Sequence, residues 1–453
     1  MRLQNSFANL LHLSAWKFTP YQILALGFAG FIMIGTLLLM MPMTSVNGQG
    51  LSFVDSLFTA TSAVCITGLV VVDTGSHFNL LGQTVIIFLI QIGGLGIMTM
   101  ATLMALVIGR KIQLRERLVM QEALNHMTVA GVVRLTQYII ITTFIIEFIG
   151  GTILAICWYP DLGLTGIYFG YWHAVSSFCN AGFDLFGNFH SLTNYVDDTV
   201  INLTVTSLII LGGLGFTVIF DVWNHRKWHK FSLHTKLVLF TTIILLALGT
   251  LVILLLEINN PATLGALSWK GKIFASYFQS VTLRSAGYNT VNIVNMQDAT
   301  IFFMVILMFI GAAPTSTGGG IKITTMSILI AAVWALIRGR NDAEIFKRRI
   351  PQRLIYKAFT LVFLSTALVV FVTMIMSISQ SASFLKILFE VVSAFATVGL
   401  SLGITSSLTV QGKIVMIITM FAGRVGLVTL ALALALRTKR AKVQYPEGKI
   451  IIG

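Results

Sequence analysis

VCITGL at residues 64–69, FCNAGF at 178–183, LRSAGY at 283–288 and FATVGL at 395–400 each carry one glycine at the same place, as Gly68, Gly182, Gly287 and Gly399. These glycines are 114, 105 and 112 residues apart, which is the spacing of a repeated unit rather than of scattered glycines. Each motif lies in a turn between long apolar stretches, which fall at 21–43, 81–109, 135–158, 200–220, 237–256, 301–337, 358–377 and 414–436. A bilayer core of about 30 Å takes roughly 20 apolar residues as helix, so these stretches are eight candidate spans. Between the members of each pair sits a half-apolar segment of about 10 to 14 residues that ends at one of the four glycines; it is too short to cross and reads as a re-entrant helix.

The chain is therefore expected to be a single membrane domain, 1–453, made of four units: 21–109, 135–223, 237–337 and 354–436. An N-terminal cytoplasmic segment, 1–20, precedes them and a cytoplasmic tail, 437–453, follows. Each unit starts and ends on the same face, so the repeats are parallel about an axis along the membrane normal. The predicted fold is an all-α polytopic membrane protein: four parallel M1–pore helix–M2 repeats around one central pore, with eight transmembrane helices.

Composition agrees. The chain is 56% hydrophobic and 10% charged, with mean hydropathy +0.89, whereas a soluble domain carries about 25% charged residues. The first twenty residues lack the pattern of a cleavable signal peptide. Phe7, Leu10, Leu11, Leu13 and Trp16 suggest instead a helix lying on the membrane surface. Cys65, Cys157 and Cys179 form neither a disulfide framework nor a zinc spacing. The net charge of +14 is a topology signal. Of the 30 Lys and Arg, 23 lie in the N-terminal segment, the loops at 110–134, 226–236 and 338–357, and the tail. The glycine-loop side has five: Lys270, Lys272, Arg284, Lys386 and Lys413. The basic side is the cytoplasm by the positive-inside rule, with both termini there, and nucleic acid is not an expected partner.

The loops carry the chemistry. Ten residues before each glycine stands an aromatic (Phe58, Trp172, Tyr277, Phe389), and six before stands Ser62, Ser176 or Ser393, with Val281 breaking the pattern. A cation filter replaces an ion's water shell with backbone carbonyls. Aiming successive carbonyls at one axis needs alternating backbone conformations, which a residue without Cβ adopts most readily. A short helix whose C-terminal end points at the ion adds partial negative charge. The candidate filter residues are Cys65, Ile66, Thr67 and Gly68; Asn180, Ala181 and Gly182; Ser285, Ala286 and Gly287; and Thr397, Val398 and Gly399. No carboxylate ring follows the glycines, which favours weakly hydrated monovalent cations over divalent ones. Asp73 and Asp184 are placed to attract cations at the outer mouth.

Four such loops among eight spans resemble the Trk/Ktr/HKT superfamily of cation transporters, and most closely its KtrB-type membrane subunit, over nearly the whole chain. The resemblance implies that each repeat supplies one filter loop. It also implies that Gly68 goes with potassium selectivity, since a serine at that place goes with sodium preference in some plant relatives. Potassium is then the transported ion, bound at the filter carbonyls, and no cofactor is bound by this chain. A homodimer and a cytosolic KtrA-type ring subunit, whose RCK domains bind nucleotide, are the implied partners, together with the lipid bilayer.

Residues 311–322 read GAAPTSTGGGIK inside the sixth span. Pro314 and the run Gly318, Gly319, Gly320 will break a helix. Irregular backbone at membrane depth is tolerated only where it is buried in protein or lines water. Gly311 to Lys322 is thus expected to protrude into the pore below the filter, and the resemblance makes it an intramembrane gate moved by the regulatory subunit. Lys322 is expected to take part in the gate or to anchor it. Arg424 lies in the last span, where a charge costs about 2.5–3.5 kcal/mol and must face water or a partner. It is expected beneath the filter with the gate loop, where the family also has an arginine, or else paired with Glu147 or Glu257. Arg284 is expected to brace the third pore helix through an acid such as Glu390. Gly93–Gly94–Leu95–Gly96 and Gly212–Gly213–Leu214–Gly215 are read as close helix contacts.

The expected function is potassium uptake across the cell membrane by passive, gated conduction, with sodium dependence left open. A sodium-coupled secondary carrier or a less selective monovalent-cation transporter is the alternative. An enzyme is not expected, because convergent His, Cys or carboxylates at one depth are missing from the pattern.

Overall fold

The computed structural model describes residues 19–96, 99, 132–340 and 342–434. The expected surface helix at 7–16, most of the basic loop at 110–134 and the tail at 437–453 lie outside the described residues.

Four long helices, α1 (Pro20–Leu39), α4 (Val132–Leu162), α8 (Leu233–Glu257) and α12 (Gln352–Ser379), open the four units. Their start signals are local. At α1, the Thr19 hydroxyl accepts from Gln22 N at 3.3 Å, the Gln22 side chain accepts from Thr19 N at 3.0 Å, and Pro20 supplies the first helical position. At α8, Ser232 Oγ accepts from Thr235 N at 3.2 Å. These four helices are long and apolar enough to cross a membrane, yet only 22% to 44% of their most apolar windows is buried in protein. A helix apolar on the faces it does not bury is suited to lipid rather than water.

Each long helix is followed by a short one: α2 (Phe53–Val64), α5 (Leu164–Phe178), α9 (Trp269–Thr282) and α13 (Phe384–Phe395). All four run into a glycine loop. Phe58, Trp172 and Phe389, of the aromatics ten residues before the glycines, are buried.

The helices after the loops differ from the expected continuous spans. α3 (Leu80–Leu95), α6 (Thr199–Leu214) and α14 (Val410–Val425) are 16 residues each and stop at Gly96, Gly215 and Gly426, whose φ values are 82°, 87° and 90°. Only glycine adopts such a conformation readily, so the chain turns there. After Gly215 it resumes as α7 (Phe216–His225), bent by 95° from α6, and after Gly426 as α15 (Leu427–Leu434). In the third unit the break is wider: α10 (Asp298–Phe309) and α11 (Ile323–Ile337) are separated by the proline- and glycine-rich loop. A two-stranded hairpin, β1 (Glu344–Ile345) and β2 (Arg348–Arg349), precedes α12.

The units pack in cyclic order. α3 of the first unit lies on α5 of the second, α6 on α9 of the third, α10 on α13 of the fourth, and α14 returns to α2 of the first. The half-buried ion pair of Lys413 Nζ with Asp55 Oδ1, at 2.6 Å, joins α14 to α2 across that last junction. Replacing one partner leaves a partly desolvated charge, so Lys413→Met is expected to lower stability by about 1–3 kcal/mol, between the exposed and buried limits for ion pairs. Thermal melting in detergent checks this, and Asp55→Asn added to Lys413→Met should recover part of the loss.

Candidate functional site

The four glycine loops share one backbone. Two residues before each glycine the chain is left-handed, with φ of 50° at Ile66, 57° at Asn180, 67° at Ser285 and 50° at Thr397. One intervening residue follows, and then the glycine itself, at 85°, 72°, 80° and 91°. Left-handed Ile66 and Thr397 cost roughly 1–2 kcal/mol each. Hydrogen bonds back to the short helices hold the strain: Thr67 N to Ser62 O at 2.7 Å, Ala181 N to Ser176 O at 2.8 Å, Ala286 N to Thr282 O at 3.0 Å and Val398 N to Ser393 O at 2.8 Å. The amides before the glycines are thus turned toward the short helices.

Their carbonyls meet the next loop. A Cβ on Gly68 would strike the Ala181 carbonyl, and one on Gly182 would lie 2.7 Å from Ala286 O. One on Gly287 would lie 2.8 Å from Val398 O, and one on Gly399 would strike the Thr67 carbonyl. The sequence of contacts runs from the first loop to the second, third and fourth and back to the first, so the four loops close a ring. No side chain fits between its members.

Polar side chains brace the ring from behind. Ser176 Oγ donates to Phe183 O at 2.8 Å and Gly399 N donates to Ser393 Oγ at 3.1 Å. In the third loop, where Val281 breaks the serine pattern, the adjacent Thr282 Oγ1 donates to Tyr288 O at 2.6 Å. The hydroxyl is displaced by one residue rather than lost.

Above the ring lies a cavity of about 290 Å³ lined by all four glycines and by Asp73, Asp184, Asn289 and Ser401. Asp73 accepts from Ser76 N at 2.8 Å and Phe189 N at 2.7 Å. Burial, and then the charge of Asp73, push the Asp184 carboxyl up to about 7.

Below the ring lies the loop from Gly311 to Lys322. Gly318 packs on the side chain of Ser285, Gly319 on Thr397 and Gly320 on Ala396, so the three glycines touch the underside of the third and fourth loops. Gly319 N donates to Thr397 Oγ1 at 3.0 Å. Ala313 N donates to Gly213 O at 3.0 Å and Thr317 N to Gly212 O at 3.2 Å, while Thr315 O accepts from Phe216 N at 3.1 Å. Gly311 N is bonded to Ile321 O at 2.8 Å and closes the base of the loop, and Pro314 lines the cavity of about 380 Å³ on its far side. Lys322 Nζ donates to Gly318 O at 2.6 Å, which ties the loop to itself.

Arg424 donates to the carbonyls of Thr317, in this loop, and of Gly93, in α3. It is not paired with either proposed acid. Glu147 accepts from Gln91 Nε2 at 3.1 Å, and Glu257 accepts from Thr263 Oγ1 at 2.6 Å and Gln297 N at 2.9 Å. The expected Arg284–Glu390 pair is absent as well. Glu390 is satisfied by Leu402 N at 3.2 Å, by Thr405 Oγ1 at 2.9 Å and by Ser401. Arg284 is buried, and its Nε and one terminal nitrogen have no hydrogen-bond partner among the described residues.

The close helix contacts expected at Gly93–Gly96 and Gly212–Gly215 have a further copy, in the fourth unit, that escaped the sequence reading. Gly93, Gly212 and Gly423 each press on the last carbonyl of a short helix, that of Val64, Phe178 and Phe395 respectively, and a Cβ on any of them would collide with it. Gly423–Arg424–Val425–Gly426 has the spacing of Gly93–Gly94–Leu95–Gly96 and Gly212–Gly213–Leu214–Gly215. Arg424 therefore occupies the position that is glycine in the first two units.

An apolar helical bundle with one carbonyl-edged ring at its centre belongs to a definable class, the integral membrane proteins that transport cations. The comparisons agree on that class. A family model described as "TrkH: Cation transport protein" matches residues 16–444. The Ktr system potassium uptake protein B of Bacillus subtilis is 45% identical over 438 residues, covering 96% of this chain and 97% of that protein. The potassium/sodium uptake protein NtpJ of Enterococcus hirae is 40% identical over 444 residues, covering 96% and 98%. The solved structure of the potassium transporter TrkH from Vibrio parahaemolyticus has the same fold at a TM-score of 0.74 and 17% identity, over 93% of this chain and 86% of that one. The chain belongs to the TrkH family of cation transport proteins.

The close approach at Gly93 sets a stability test. Gly93→Ala is expected to destabilise by about 1–3 kcal/mol through overpacking. Gly30→Ala in α1, where a Cβ meets nothing within 4 Å, should leave the melting midpoint unchanged or raise it. Equal midpoints for the two variants would mean that α3 and α2 are not in tight contact.

Proposed function

We propose that the chain conducts potassium across the cell membrane, passively and under control of the loop at 311–322. The observation that carries this reading is the closed ring of Gly68, Gly182, Gly287 and Gly399 with the carbonyls of Thr67, Ala181, Ala286 and Val398 at its edge. Backbone carbonyls so arranged replace the water shell of a weakly hydrated monovalent cation. The C-terminal ends of α2, α5, α9 and α13 add partial negative charge beside it. The names of the relatives support potassium among such ions.

On this reading the four units 21–109, 135–223, 237–337 and 354–436 surround one pore as eight spans, with the inner helices broken at glycine. The basic loops face the cytoplasm. Ions gather in the outer cavity beside Asp73 and Asp184, shed water in the ring, and are stopped below it by the loop and by the charge of Arg424. Moving the loop opens the path. A cytosolic ring subunit that binds nucleotide supplies the control, since the relatives belong to a Ktr system, and the membrane subunit works as a homodimer. Sodium-coupled carriage is the second reading, favoured by the potassium/sodium name of the Enterococcus relative.

Cation flux into proteoliposomes tests the proposal, with potassium or sodium as the only gradient and the cytosolic subunit added in a parallel series. The wild type is expected to pass potassium over sodium, and Gly68→Ser to lose about tenfold or more of that preference, since the serine Cβ would displace the Ala181 carbonyl from the ring. Saturable uptake that requires both ions together would favour the carrier. Arg424→Ala removes a positive charge and one tie on the loop, so leak in the resting state should rise several-fold; unchanged leak would remove Arg424 from the gate.

A further inference from the structure

The filter and the loop beneath it leave unused a cluster of basic and aromatic side chains at the far end of α7. α7 leaves α6 at 95° at Gly215 and runs from the 311–322 loop toward the basic segment at 226–236, which the positive-inside rule gives to the cytoplasmic face. Trp223 is 67% exposed there. Arg226, in left-handed conformation at φ 52°, ends the helix, and Lys227, Trp228 and Lys230 follow, all exposed. Between residues 216 and 236 the one acid is Asp221, and its carboxylate is taken by His225 Nδ1 at 2.7 Å, Ser232 N at 3.0 Å and Thr235 Oγ1 at 2.5 Å. The hairpin turn brings Phe346 to Trp228, with ring centroids 6.4 Å apart, and presents Lys347 and Arg348 beside it. The hairpin's acids, Asp342 and Glu344, pair with Arg349 and Arg340, which leaves exposed basic side chains beside aromatic rings, a combination that matches the anionic headgroup layer of a membrane.

The other end of α7 is fixed to the loop under the filter. The first N–H groups of a helix have no partner within it. Here Phe216 N donates to Thr315 O at 3.1 Å, and Thr217 Oγ1 meets Thr315 Oγ1 at 2.9 Å. Gly215 packs on the Pro314 carbonyl. Ten residues of helix, about 15 Å, separate this attachment from the basic cluster.

We propose that anionic phospholipid headgroups of the cytoplasmic leaflet dock on Arg226, Lys227 and Lys230 between Trp223 and Trp228, and that α7 passes this binding to the 311–322 loop as a rigid lever. The proposal rests on the topology and on the gate role given to that loop above. Anionic lipid on the cluster fixes one end of α7 and thereby biases where Thr315 sits.

The test compares vesicles of phosphatidylcholine alone with vesicles containing about a third phosphatidylglycerol. Potassium flux is read in both, and retained phosphatidylglycerol is counted by native mass spectrometry. The wild type should retain the lipid and change its flux about fivefold between the two compositions, the ratio that roughly one basic-residue contact with an anionic surface supplies. Arg226→Gln/Lys227→Gln/Lys230→Gln should lose both the retained lipid and the response. Thr217→Val should keep the lipid and lose the response. Equal retention by the wild type and the triple variant overturns the docking site. An undiminished response in the triple variant overturns it too, because general surface potential then gathers the cations. A cluster shielded only when a soluble protein ring is added, with no lipid retained, makes the surface a protein dock and ends the proposal. Retained lipid with no response in the wild type overturns the lever; if Arg424→Ala also leaves leak unchanged, the fault lies in the gate reading rather than in docking.

Discussion

Carbonyl oxygens from four loops can face one axis only if nothing stands between neighbouring loops, and the ring at Gly68, Gly182, Gly287 and Gly399 has no room for a Cβ at any of its four corners. The surrounding architecture serves that exclusion. The short helices anchor the amides before each glycine, so that the strained residues Ile66, Asn180, Ser285 and Thr397 stay left-handed. Gly93, Gly212 and Gly423 let the following helices press against the ends of the short ones. Cyclic packing of each inner helix on the next unit then fixes the loops relative to one another.

The same chain break is used for different ends. In the second and fourth units the inner helix resumes after a single glycine, in the first α3 ends at Gly96, and in the third the break expands into a loop that lies against the ring. Backbone hydrogen bonds tie that loop to the second unit, Thr397 ties it to the fourth, and Arg424 joins it to Gly93 of the first. Each such bond contributes about 1 kcal/mol, and charge-assisted ones roughly 1.5–3. A loop held by a handful of these is ordered at rest yet within reach of the free energy of a binding event, as the gate role proposed for it requires.

Much of this was legible from glycine spacing. The four ring glycines, the short helices, and the loop at 311–322 follow from where a residue without Cβ recurs and where an apolar stretch is interrupted. What the residues do not announce is strain: nothing in the identities of Ile66 and Thr397 foretells left-handed backbone, because the hydrogen bonds of the next amides back to the ends of the short helices impose it. The breaks at Gly96, Gly215 and Gly426 carried a signal in their common four-residue spacing, obscured in the fourth unit by Arg424. Pairing of charges was the least legible feature. Arg284 was expected to meet an acid such as Glu390, and the alternative to the loop for Arg424 was Glu147 or Glu257, but these acids find hydroxyl, amide and backbone donors closer at hand. Partner choice at membrane depth depends on which groups the packing brings within reach, which sequence distance does not encode.

The central claim is that the four loops form a single cation site, and anomalous diffraction from crystals grown in rubidium or thallium tests it most directly. Peaks on the axis among the carbonyls of Thr67, Ala181, Ala286 and Val398, diminished in Gly68→Ser, are the predicted result. An axis without density, with the ions bound at carboxylates elsewhere, would contradict the account.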